Sequence, residues 1–154
     1  MQEKTHKKGL LMAMIPAVLG IVLWHVIWRL GVVPAIASFA IVYGMHWFYG
    51  KWGGRISRKE FTQLMILASL FVLLAFFITL VFDIRTFYIE MIGGTGGFFS
   101  ADFWSEVWNE IKHFGYARDL GLTILFTGLA IASLVFDKKR AREERKIESL
   151  SKEL

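Results

Sequence analysis

Apolar residues in this chain form four long blocks separated by more polar stretches, at about 9–29, 32–50, 60–82 and 118–136. Each block holds roughly the ~20 residues that a helix needs to cross ~30 Å of hydrocarbon. Nothing alternates at period two, which a membrane barrel would require. A backbone surrounded by lipid must satisfy its own hydrogen bonds, so four helices are the economical solution. The expected fold is all-α: a polytopic membrane protein with a four-helix transmembrane domain over residues 1–136. An outer loop over 83–117 and a charged cytoplasmic helical tail over 137–154 complete it.

Local signals mark the block ends. Lys7 and Lys8 before the first block resemble the start of a signal peptide. That block is too long for an ordinary hydrophobic region, and no convincing cleavage site precedes a polar start. A tight turn is expected at Arg29-Leu30-Gly31, with Pro34 in the first turn of the second helix. Ser57-Arg58-Lys59-Glu60 fits a capping box at the start of the third. Residues Asp83 to Glu90 extend the third helix beyond the lipid, until Gly93, Gly94, Gly96 and Gly97 break it.

Inside the outer loop, Ser100 is a good N-cap for a further helix over about 100–114. Phe103, Trp104, Val107, Trp108, Ile111 and Phe114 recur at helical spacing, with polar residues opposite. The pattern predicts an extracytoplasmic amphipathic helix that lies on the outer leaflet or lids the bundle. Trp104 and Trp108 are its candidate contacts with a partner or the membrane surface. The tail pairs Lys139 with Glu143, Arg140 with Glu144 and Glu148 with Lys152 at i,i+4 spacing. It therefore continues the last helix before fraying.

Composition agrees with the pattern. The 154 residues are 55% hydrophobic and 16% aromatic, too apolar for a soluble domain of this size and for a disordered chain. The absence of Cys excludes disulfides, thiol chemistry and Cys-ligated metals.

The net charge of +5 is unevenly placed. Fourteen Lys and Arg fall in the N-terminus, the second loop and the tail, and four fall on the other side. The positive-inside rule then puts both termini in the cytoplasm of a cell membrane. Tryptophans at the block ends suit the headgroup level. The basic tail should attract anionic lipid. Nucleic acid is not expected as a partner, because the cations flank apolar blocks.

Candidate chemistry is sparse. No Asp, Glu, Lys or Arg lies deep in any block, which argues against a proton-coupled carrier or an intramembrane aspartyl protease. His25 and His46 fall near opposite ends of the first hairpin, too far apart to share one metal. No metal or other cofactor is expected. Small residues recur four apart at Ala13/Ala17, Ala40/Gly44, Ala117/Gly121 and Gly128/Ala132. Such spacing lets helix backbones approach closely. Ala40, Gly44, Gly128 and Ala132 are the candidate packing residues of the second and fourth helices.

The expectation is a non-enzymatic membrane subunit, a homo-oligomer or part of a larger membrane complex. A rival is a small oligomeric transporter or channel lined by His25, Ser38, His46, Thr123 and Thr127. A third is a lipid-active enzyme using Asp83, Glu90 and His113.

Overall fold

The computed structural model describes residues 2–30, 36–54, 56–92, 100–113 and 116–151. Among them the chain is helical without strands: α1 Gln2–Arg29, α2 Ala37–Gly53, α3 Arg58–Ile92, α4 Ala101–His113 and α5 Tyr116–Ser151. Three stretches are long and apolar enough to cross a membrane: His6–Arg29, Arg58–Phe87 and Tyr116–Ala141. The chain thus has the build of a membrane protein.

The second apolar block forms a shorter helix of 17 residues, displaced toward the C-terminus of its expected range. It starts at Ala37, after Ile36, which makes no side-chain capping bond. It ends at Gly53, because Gly54 takes φ +79°, a conformation that other residues adopt only with strain. The turn expected at Gly31 and Pro34 lies outside the described residues, as do the 93–97 glycines.

α1 and α2 form an antiparallel hairpin with very close backbones. A Cβ on Gly9 would sit 2.6 Å from Gly53 Cα, one on Gly44 2.8 Å from Pro16 Cβ, and one on Gly20 2.2 Å from Ile41 Cγ1. Ala13, Ala17 and Trp24 continue the buried face of α1. Opposite them, Ala37, Ile41, Met45 and Tyr49 form the four-residue repeat of α2. Pro16 lies inside α1 without ending it. Helices in lipid tolerate proline where neighbouring structure compensates for the lost bond.

α3 begins at the expected capping box. Ser57 N–H donates to Glu60 Oε2 at 2.8 Å, and Glu60 N–H donates to Ser57 Oγ at 3.2 Å. With 35 residues α3 is about 52 Å long, well beyond a ~30 Å hydrocarbon slab. α5, of 36 residues, is similarly long and carries the charged tail, where Arg140 pairs with Glu144 at 3.1 Å.

α2 is central, touching α1, α3 and α5. α3 and α5 run antiparallel, tied at one end by Tyr116 OH donating to Asp83 Oδ2 at 3.1 Å. At the other end the Lys138 ammonium lies 4.6 Å from the Phe61 ring centre.

α4 packs between α3 and α5 at the Asp83 end. Its N-terminus is capped by Ser100 Oγ, which accepts from Phe103 N–H at 3.2 Å. Phe103 and Val107 are buried. Trp104 is half-exposed and stacks on Phe77 at 6.4 Å between ring centres, whereas Trp108 is 63% exposed. Phe77 lies five residues before Phe82 on α3, about 7 Å deeper along the axis.

Candidate functional site

α5 leans on α2 and leaves a long groove against α3. At the end bearing the capping box, a cleft of about 450 Å³ is lined by Arg58, Phe61, Thr62, Val135, Lys138 and Lys139. A hollow of about 250 Å³ shares Phe61 and Thr62 with that mouth and adds Met65, Ile66, Ser69 and Ile131. A third, of about 280 Å³, shares Ser69 and Ile131 and adds Val72, Leu73, Thr123, Ile124, Thr127 and Gly128. The shared residues make one groove with a cationic mouth and an apolar floor.

The hydroxyls along this groove are turned to their own helices. Thr62 donates to Arg58 O at 3.1 Å and Ser69 to Met65 O at 2.9 Å. Thr123 donates to Asp119 O and Thr127 to Thr123 O, both at 2.7 Å. Each proton goes to a backbone carbonyl one turn back, so the groove presents methyl and methylene groups where the sequence alone suggests polarity.

The two histidines of the expected path lie at opposite ends of α3. His25 meets the edge of Phe82 at 6.0 Å between ring centres, and His46 meets Phe61 at 5.8 Å, at the opposite end of α3. Ser38 is buried at the start of α2.

Of the expected packing residues, Gly44 closes on Pro16 and Ala132 is half-buried. Ala40 and Gly128 are exposed. A Cβ on Gly128 or Gly121 would meet nothing within 4 Å, in contrast to the crowded Gly9 and Gly20 of α1.

One polar constellation was not singled out in the sequence, and a second was singled out only in part. His6 Nδ1 lies 2.5 Å from Tyr49 OH and 3.2 Å from Glu60 Oε1, joining α1, α2 and α3. No spacing rule reveals this cluster, because its members are 11 and 43 residues apart. At the other end, a cleft of about 340 Å³ gathers Asp83, Glu90 and Glu110 with Tyr116. Asp83 and Glu90 were expected to act with His113, whose side chain lies outside the described residues. Arg118 pairs with Asp119 at 3.8 Å. Among the described residues, no three His, Asp or Glu are placed to hold a metal ion.

No family model matches the chain, and neither curated proteins nor solved structures give a match.

Proposed function

We propose that the chain is a four-span integral membrane protein acting as a non-enzymatic accessory subunit. It packs α5 against a membrane helix of a second copy or of a larger partner. The observation that carries this reading is the contrast between its glycines. On α1 they sit under a neighbouring helix, whereas on α5 Gly121 and Gly128 stand open beside exposed Leu125 and Leu129. Close helix approach in lipid uses small residues at the contact.

Two observations support the four spans. α2 lies along α1 from Gly53 beside Gly9 to Ile41 beside Gly20, about 16 Å of the membrane-length helix α1, which supports reading α2 as a membrane helix too. Its 17 residues give about 26 Å, a mismatch that thinning of the bilayer and flanking aromatics absorb at modest cost.

The cytoplasmic placement of both termini is supported by Lys8, Lys51, Arg58, Lys59, Lys138 and Lys139 at one end of the bundle. Lys51 stands 4.9 Å from the Trp47 ring centre and Lys8 stands 5.4 Å from that of Trp52, as expected at a headgroup boundary. In this reading α4 is an extracytoplasmic amphipathic helix that lids the bundle.

The test is native mass spectrometry of complexes solubilised gently from their own membrane. The wild type is expected as an assembly of defined stoichiometry, which Gly121→Leu with Gly128→Leu releases without changing expression or helix content. A wild-type chain that emerges as a single copy with no stoichiometric companion overturns the reading.

A further inference from the structure

We infer that the α3–α5 groove is a seat for one anionic phospholipid. Its phosphate lies between Arg58, Lys138 and Lys139, and an acyl chain runs down the groove. The inference rests on reading α3 and α5 as lipid-crossing helices.

Three features favour this occupant. The first is charge. Arg58 comes from the first residue of α3, while Lys138 and Lys139 come from a point near the middle of α5, and together they line the mouth. Lys138 is placed over the Phe61 ring at 4.6 Å, which orders one of these cations at the rim. Among the described residues, the lining of the mouth holds three cations and no carboxylate. Glu60 is held by Ser57 and His6, while Asp137 and Glu143 line a neighbouring depression that shares Lys139 with the mouth and also holds Arg140. Basic pockets between membrane helices on the cytoplasmic side recognise anionic headgroups.

The second is chemistry along the floor. A polar solute needs donors and acceptors that face it. Here the protons of Thr62, Ser69, Thr123 and Thr127 are already given to backbone carbonyls, and the remaining lining is aliphatic or aromatic. A hydrocarbon chain needs nothing more from such a wall.

The third is length. From Thr62 to Leu73 the floor advances along α3 by about 16 Å. One leaflet of a bilayer offers about half of its ~30 Å hydrocarbon core. Headgroup and chain therefore fit the cationic mouth and the groove at once. A soluble phosphate would use the mouth alone.

The experiment uses full-length protein, delipidated in a neutral detergent and then given phosphatidylglycerol or phosphatidylcholine. Bound lipid is counted by native mass spectrometry. The wild type is expected to retain one phosphatidylglycerol in preference to phosphatidylcholine, and millimolar inorganic phosphate is not expected to displace it. Each basic residue near a lipid surface contributes a factor of up to roughly five in affinity. Arg58→Gln with Lys138→Gln and Lys139→Gln should therefore lower retention at least tenfold, while Arg140→Gln leaves it unchanged.

Ser69→Leu keeps every cation and fills the groove at the junction of its two inner hollows. It is expected to lower retention severalfold. Full retention in Ser69→Leu, displacement by phosphate, or equal retention of the two lipids in the wild type overturns the seat and leaves the membrane reading standing. Recovery of the wild-type chain in water without detergent overturns both.

Discussion

A Cβ built on Gly20 of α1 would lie 2.2 Å from Cγ1 of Ile41 on α2, so no side chain fits where these helices cross. Gly20→Ala is expected to destabilise the protein by about 1–3 kcal/mol through overpacking. Gly121→Ala meets nothing and exchanges a poor helix former for the best one, so it should be neutral or stabilising by up to about 1 kcal/mol. Thermal unfolding of both variants in the same mild detergent checks the pair. Equal effects would show that the hairpin is not tightly packed at Gly20.

His6, Tyr49 and Glu60 tie the start of α1 to the end of α2 and the start of α3. All carry partners, and His6 and Glu60 remain about one quarter exposed, which weakens their attraction through solvent screening. A double-mutant cycle on His6→Ala and Glu60→Ala should give a coupling of about 0.5–1 kcal/mol. Tyr49→Phe should loosen the first turns of α1, seen as faster amide exchange there. A coupling of zero would reduce the cluster to mere proximity.

Among the described residues, Trp24 Nε1 and Thr79 Oγ1 are buried without a hydrogen-bond partner. An unsatisfied buried polar group costs about 1–3 kcal/mol. Thr79→Val removes the hydroxyl and keeps the shape. It should raise stability by up to about 1 kcal/mol in the same unfolding measurement. A clear loss of stability would mean that the hydroxyl has a partner after all.

Within α4 the two tryptophans have different settings. Trp104 stacks on Phe77 while Trp108 faces outward, and Phe103 beneath them is fully buried. Phe103→Ala should cost about 3–5 kcal/mol of local stability and expose the 100–113 segment to protease. Trp108→Ala should leave protease resistance unchanged. Equal cleavage in both variants would mean that α4 does not lid the bundle.

The chain has no cysteine, so single-cysteine variants report topology without background. Ser105→Cys on α4 should react with an impermeant maleimide on intact cells. Lys59→Cys and Glu143→Cys should react only after permeabilisation. The opposite pattern would invert the orientation that the basic residues imply.

The apolar blocks made three membrane-length helices legible in advance, because a run of ~20 apolar residues has few other stable forms. The capping box at Ser57 and the N-cap at Ser100 were legible too, since each depends on residues only three apart. The extension of α3 past Phe82 and of α5 into the tail followed from local charge and hydropathy alone.

What lies between helices was not readable in this way. Small residues four apart occur on both α1 and α5, and the pattern cannot say that Gly20 is crowded while Gly128 is open. Nor can it bring His6 to Tyr49 and Glu60, or set Arg58 opposite Lys138 and Lys139. Each helix is determined by bonds within one turn and by its preference for lipid, which a linear sequence displays. The rotation of one helix against another depends on side-chain shape summed over several neighbours, and only the folded bundle decides it.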